Sequence, residues 1–318
     1  MPYFSEAVLK SRGLCGIFIW LYYAFLHLRR FMKMEKEKKM EHYSVLMSVY
    51  IKEDPAHCAA AIRSMLEQTV VTDDFVIVCD GPLTKELDAV LEDFVSRYPG
   101  LFRILRLPEN VGVGLAANAG LGVCRNELIA KMDSDDISVP DRCEKQLARF
   151  AANPELMLLG GIIEEFDNQT GKVCSVRAVP GDHAGICRYA RRRSPFNNVT
   201  VMYRRSAAIA AGGYRDLRRG EDYDLYLRML IGGCYAENLP ETLVKVRVDA
   251  SDYRRRTSWY ALKCSARIWW YAWRKGFSSS ADLFICMAGQ TFMLLCPGRV
   301  QHMIYKKFLR RACGPDEK

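Results

Sequence analysis

From Tyr43 onward the apolar residues fall into two alternating rhythms. Short, nearly unbroken apolar runs begin at Tyr43 (YSVLMSVY), Asp74 (DFVIVC), Phe102 (FRILRL) and Glu127 (ELIAKMD), and their length and composition predict strands. Between them, apolar residues recur every three or four positions. HCAAAIRSMLEQ follows Asp54 and Pro55, a pair suited to a helix start, and TKELDAVLEDFVSRY places Leu87, Val90, Leu91 and Phe94 on one helical face. GLAANAGLGVC reads as the small-residue start of a third helix. Regular alternation of strand and helix predicts a mostly parallel, Rossmann-like α/β sheet with helices on both faces. Ligands of such sheets gather beyond the C-terminal strand ends, where Asp80 and Asp133 stand.

After Pro140 the alternation loosens. CEKQLARFAANPE predicts a helix, LMLLGGIIEEF a strand, TVMYRRSAAIAAGG a strand running into a helix closed at Gly212, and GEDYDLYLRMLIGG a helix ended by Gly232. Beyond Val248 the chain changes to YRRRTSWYALKCSARIWWYAWRKG and then ADLFICMAGQTFMLLCPG. Three segments are therefore expected: residues 1–40, a central α/β domain over 41–250, and a helical, basic and aromatic tail over 251–318. In the first, GLCGIFIWLYYAFLHL is apolar from Gly13 to Leu28 but short of the roughly 20 residues of a spanning helix. The basic RRFMKMEKEKK after it would hold the following domain in the cytoplasm if the segment inserts. The alternative is that Met34 or Met40 is the true start.

Composition narrows the class without naming a reaction. The chain has 318 residues, 50% hydrophobic and 26% charged, which excludes an intrinsically disordered protein. Its formal charge of +9 is uneven, because ARRRSP, RDLRRG, YRRR and YKKFLRR all follow residue 190. That asymmetry suggests an anionic partner for the second half: a phosphate-bearing substrate, anionic lipid or nucleic acid. The 12 cysteines sit singly in apolar runs with no C-x-x-C pair, so they read as buried thiols in a reducing compartment and not as a disulfide framework or zinc site.

The candidate chemistry is acidic. IAKMDSDDISVP ends a strand with Asp133, Asp135 and Asp136 in four residues. Carboxylates spaced by one at a strand end can offer hard oxygen ligands to Mg²⁺ or Mn²⁺, with positions left for phosphate oxygens. Read alone, the same residues also suit an Asp-rich turn, and Asp136 in particular fits a cap. Asp80, followed by Gly81, can accept a hydrogen bond from a base or sugar, or simply turn the chain. Glu53 can do likewise, or cap the helix near Pro55. In GEDYDLYLRM, Glu221 and Asp222 occupy a first helical turn, where the dipole favours them, and a carboxylate there can also serve as a general base. The glycines of ENVGVGLAANAGL lack dinucleotide-fold spacing.

Taken in order, SVY with Glu53, VIVCDGP, ENVGVGLAANAGL, IAKMDSDDISVPDR, LLGGIIEEF, TVMYRR, AAGGY and GEDYDLYLRM resemble the family 2 glycosyltransferases of GT-A fold. Among these they are most similar to bacterial polysaccharide transferases of the amylovoran-biosynthesis type. The likeness spans roughly residues 43–248. It implies an inverting, single-displacement sugar transfer from a nucleotide-diphosphate sugar such as a UDP-sugar, with Mn²⁺ or Mg²⁺, in capsule, exopolysaccharide or O-antigen synthesis. By the same resemblance Tyr50, Glu53 and Asp80 hold base and ribose, and Asp133 and Asp135 bind ribose and metal. Asp222, or its neighbour Glu221, takes the acceptor proton, and Arg228 lies near the diphosphate. One departure is Asn198, where relatives of this type commonly carry His. A lipid-linked saccharide acceptor at the cytoplasmic side of the inner membrane would give the tail a reason. Trp259, Trp269, Trp270, Tyr271 and Trp273 interleave there with Arg254, Arg255, Arg256, Arg267 and Arg274, although the same stripe also suits packing onto the central domain. No nucleic-acid partner is expected, because the basic residues cluster beside apolar runs. A sugar nucleotidyltransferase is the alternative enzyme, but MSVYIKEDP lacks the glycine-lysine loop it needs. A basic nucleic-acid-binding module is the alternative outside enzymes.

Overall fold

The computed structural model describes residue 22 and residues 42–248, 258–296 and 311–312. The expectations for the apolar segment Gly13–Leu28, apart from Tyr22, and for Arg254–Arg256 lie outside the described residues. Strands β1 (Tyr43–Val49), β2 (Asp74–Cys79), β3 (Phe102–Arg106) and β4 (Leu128–Asp133) run parallel in the order β3-β2-β1-β4. Helices α1 (Pro55–Leu66), α2 (Lys85–Arg97) and α3 (Val113–Val123) connect them. Asp54 caps α1 by accepting from Ala56 N and His57 N at 2.8 and 3.0 Å, which satisfies two of the N–H groups a helix start leaves open.

Both faces of this half-sheet are covered, and strand alternation decides how. Phe75 and Phe102 pack with ring centres 5.0 Å apart, and Phe102 meets Phe94 of α2 at 6.2 Å. Val76 and Val78 point the other way, into the core shared with Leu46 and with Ala116, Ala117 and Leu121 of α3. Gly120 makes that approach possible: a Cβ there would stand 2.4 Å from Leu46 Cδ1 and 2.7 Å from Val78 Cγ2.

The second half turns the parallel sheet into a mixed one. After β5 (Ile137–Ser138) and α4 (Arg142–Ala152) comes β6 (Leu156–Asp167), then β7 (Val173–Arg177) and α5 (His183–Ala190). Strand β8 (Met202–Arg204) lies antiparallel between β4 and β6 and leads into α6 (Arg205–Ala210). Helix α7 (Glu221–Ile231) precedes β9 (Tyr235–Val248), which pairs parallel with β6 and antiparallel with β5. The sequence patterning misses β7, α5 and β9. In β9, Pro240 interrupts the run YAENLPETLVKVRV, and the register with β6 shifts just before it resumes, the irregularity that a proline inside a strand imposes.

Helices α8 (Trp259–Arg274) and α9 (Ser280–Leu295) follow the segment 249–257, where the expected domain boundary lies outside the described residues. Cys264, Ile268, Trp269 and Ala272 of α8 and Cys286 of α9 belong to the same core as α3 and α7. The aromatic stripe therefore divides. Trp269 is buried, with Nε1 donating to Arg192 O at 3.1 Å, whereas Trp259 and Trp270 are 68% and 52% exposed. No helix among the described residues is long and apolar enough to cross a membrane.

Candidate active site

Register brings the strand-end residues level with one another. Ser48 pairs across to Asp133, Val49 pairs with Cys79, and Asp80 N donates to Val49 O at 2.8 Å. Just beyond these ends opens a cavity of about 470 Å³. Ser48, Tyr50, Glu53, Asp80, Asp133 and Asp135 line it from the sheet, Asn110 and Gly112 from the loop entering α3, and Glu221 and Asp222 from the start of α7. Carboxylates distant in sequence thus meet in one space. Of the expected site residues, only Arg228 is not among the lining.

Arg228 is spent elsewhere. Its Nε donates to Asp224 at 2.9 Å, Nη2 to Gly213 O at 2.6 Å, and Nη1 to Ala211 O. It is 5% exposed and ties α7 to the glycine turn before it, away from the residues that line the cavity. The guanidinium that does line the cavity is Arg218.

Asp80 is a positioning group as well as a lining one. Its carboxylate accepts from Asn110 Nδ2 at 3.0 Å, Val111 N at 2.8 Å and Gly112 N at 3.1 Å, which fixes the 110–112 loop and leaves little acceptor capacity for a ligand. Glu53 does not cap α1, since Asp54 does. Its Oε2 accepts from Ser134 Oγ at 2.6 Å, linking the β1 loop to the acidic loop between Asp133 and Asp135. Tyr50 forms an exposed rim, 37% accessible. Asp136 points away from the cavity's chemistry: it is buried and accepts from Arg247 N at 3.0 Å, joining the loop to β9.

The acidic side chains are held uneasily. Burial raises the Asp133 carboxyl above the ordinary carboxylate range, partly offset by Lys131 and Arg142. Burial, then the neighbouring charge of Glu221, pushes Asp222 well above it. Burial also raises Glu221, which stands beside Asp222 in the first turn of α7. Both shifts run upward, from burial first and, for Asp222, from the charge beside it. Lys131 is the opposing charge: only 1% exposed, it lines the same cavity and lowers Asp133, Glu221 and Asp222. Sequence reading passed over Lys131, although a lysine inside the apolar strand LIAKMD, on the same face as Asp133, was its signal. Arg218 and Asn110 lie in loops and carried no periodic signal at all.

The donor set suits a divalent cation. Asp133 and Asp135 both line the cavity, and beside Asp133 the buried Ser48 Oγ has no hydrogen-bond partner. Among the described residues no three carboxylate, histidine or cysteine side chains form a closed cage. A cation held here would take its remaining ligands from a substrate, as Mg²⁺ commonly does with phosphate oxygens. Asn198, at the position of the expected departure, also lines the cavity, and its Oδ1 accepts from Tyr226 Oη at 2.8 Å.

Comparison with known proteins places this geometry in context. Residues 44–216 match the model of glycosyl transferase family 2. The amylovoran biosynthesis glycosyltransferase AmsE of Erwinia amylovora is 34% identical, over 83% of this chain and 98% of its own. An Escherichia coli protein named UDP-Gal:alpha-D-GlcNAc-diphosphoundecaprenol beta-1,3-galactosyltransferase is 32% identical, over 85% of this chain and 97% of its own. Among solved structures, the mannosyltransferase PcManGT from Pyrobaculum calidifontis, in complex with GDP-Man and Mn²⁺, superposes with a TM-score of 0.58 at 14% identity. That likeness covers 80% of this chain and 71% of the other.

Proposed function

The chain belongs to glycosyl transferase family 2, and from that membership we propose that it moves a sugar from a nucleoside-diphosphate sugar, with inversion, to a lipid-linked saccharide in bacterial surface polysaccharide synthesis. The enzyme is a glycosyltransferase of GT-A fold; donor, acceptor and stereochemistry are the proposal. The observation that carries it is the single cavity into which Glu53, Asp80, Asp133, Asp135 and Asp222 converge from three strand ends and one helix start.

In this reading the nucleoside lies along Tyr50 and the loop fixed by Asp80, and the diphosphate faces Asp133 and Asp135. A divalent cation held by those two carboxylates would neutralise diphosphate charge as a Lewis acid. Lys131 and Arg218 supply fixed positive charge on the same side, where negative charge grows as the leaving group departs. Asp222 accepts the proton of the acceptor hydroxyl as its oxygen forms the new bond to the anomeric carbon and the bond to the diphosphate oxygen breaks. Glu221, beside Asp222 in the same cavity, adds negative charge that raises the base's proton affinity. One displacement gives inversion, and no second nucleophile is needed. The name of the E. coli relative supports a lipid diphosphate acceptor. Exposed Trp259, Trp270, Phe284, Phe292 and Leu295 on α8 and α9 support peripheral attachment at the cytoplasmic side of the inner membrane.

The test is release of nucleoside diphosphate from UDP-, GDP- and dTDP-sugars with membrane extract as acceptor. One donor class should turn over, and chelation of the divalent cation should stop it. Absence of metal-dependent transfer from every donor would overturn the reading.

A further inference from the structure

A second recess lies away from the catalytic cavity, on the outer side of α8. Arg267, Trp270, Tyr271 and Arg274 follow one another at helical spacing on one face of α8, and with Lys275 and Arg215 they line a space of about 470 Å³. Arg215 stands over the Tyr271 ring at 4.9 Å, and Lys275 Nζ lies 5.9 Å from the same ring. Arg215 pairs with Asp224 at 3.5 Å, while no carboxylate among the described residues pairs with Arg267, Arg274 or Lys275. Three cations with no carboxylate partner among the described residues thus stand on one wall, an arrangement that attracts an anion.

Next to it is a groove of a different kind. Arg267 and Trp270 also border a space of about 420 Å³ completed by Ala266, Lys263 and by Leu283 and Met287 of α9. Its floor is hydrocarbon. Only a ligand whose phosphate is joined directly to an apolar chain satisfies both spaces at once. A nucleotide would place a polar base and ribose against Leu283 and Met287, which offer no hydrogen-bonding group, whereas a hydrocarbon chain loses nothing there.

Position ties the recess to the reaction. Arg215 belongs to the loop after Gly213 whose Arg218 lines the catalytic cavity and which ends at Gly220, next to Glu221 and Asp222. A Cβ on Gly220 would lie 3.1 Å from Ile268 Cδ1, so α8 abuts the start of the helix that carries the proposed base. Resting on the glycosyl-transfer reading above, we propose that this recess holds the acceptor by its lipid diphosphate, phosphates on Arg267, Arg274 and Lys275 and the first isoprenoid units along Trp270, Leu283 and Met287. The saccharide then reaches over the 214–220 loop toward Asp222.

Farnesyl diphosphate is a soluble probe of this site, followed by tryptophan fluorescence with saturating nucleoside diphosphate and Mn²⁺ present to fill the catalytic cavity. It should bind the full chain at least about tenfold more tightly than inorganic pyrophosphate or farnesol. The exposed double substitution Arg267→Ala/Arg274→Ala should weaken binding by about tenfold or more, the scale of charged hydrogen bonds, with an unchanged melting temperature. Leu283→Ser should weaken farnesyl diphosphate but not pyrophosphate. Equal binding by wild type and double variant would overturn the proposal, as would binding that appears only when nucleoside diphosphate is left out. So would a loss seen only on vesicles of anionic phospholipid, which would assign the cations to bulk headgroups. Sugar transfer in membrane extract is scored separately. Transfer without farnesyl diphosphate binding sinks the recess and leaves the reaction standing, and binding without transfer does the reverse.

Discussion

At the scale of single residues the structure separates groups that look alike in sequence. Asp74, Asp80, Asp133, Asp136, Asp222 and Asp224 all sit at or near element ends, yet each faces a different environment. Asp74 is fully buried at the N-terminal edge of the sheet and is met by Ser44 Oγ at 2.6 Å and by Arg103 and Arg125. Asp222 instead has Glu221 beside it and only Lys131 in opposition. Asp222→Asn should lower transfer by about 10²- to 10⁴-fold, the usual contribution of a general base, measured as kcat with saturating substrates. The same change should raise the melting temperature near neutral pH. Because folding raises the Asp222 carboxyl, the folded state binds more protons than the unfolded chain, and the group's contribution to stability is lost as pH rises through the raised value. Removing the charge removes that loss. Lys131 holds the pair down, so Lys131→Met should move the acidic limb of the kcat/KM profile to higher pH. A profile unmoved by that substitution would separate Lys131 from the acid pair.

Elements explain why the expected and the observed roles diverge. Arg228 lies one turn after Asp224 on α7, the spacing of an ordinary helical ion pair, and both side chains are 3% exposed. Sequence could place it on the helix; it could not say which face the 211–213 turn would cover. Arg228→Ala should destabilise the fold by about 3–5 kcal/mol, since it takes from buried Asp224 its nearest cation, leaving Arg215 at 3.5 Å, and removes the donor to the Ala211 and Gly213 carbonyls; urea unfolding would measure it. Activity per folded molecule should persist, in contrast to Asp222→Asn. Strands β1, β2 and β4 were legible because each buries both faces and so forms an apolar run, and β3, only half-buried at the edge, still shows Phe102, Ile104 and Leu105. Strand β9 was not, because its 14 residues mix buried and exposed positions around Pro240 and pair with β6 through shifts of register. Lys131 was overlooked for a related reason: a run read for its apolar residues draws attention from the single lysine within it.

For the molecule as a whole, the helical tail expected over 251–318 contributes in part to the core, since Ile268, Trp269 and Ala272 of α8 belong to the same cluster as residues of α7. Asp282 of α9 accepts from Arg192 Nε at 2.6 Å, which holds the second helix to the turn after α5. What remains exposed is an apolar patch that includes Phe284, Phe292 and Leu295, at 72%, 58% and 70% accessibility. Replacing these three with serine should reduce co-sedimentation with anionic vesicles while leaving thermal stability and nucleotide binding intact. Undiminished sedimentation would move the attachment elsewhere. The sequence by itself determined the alternation of strand and helix, the acidic strand ends and the family resemblance, because those follow from local periodicity and from residue types at fixed spacing. Only the tertiary structure decided that Asp222 meets Asp133 across nearly ninety residues, that Arg218 and not Arg228 reaches the cavity, and which tryptophans face solvent. Those outcomes depend on which surfaces cover one another, a matter of packing between distant segments that no local pattern encodes.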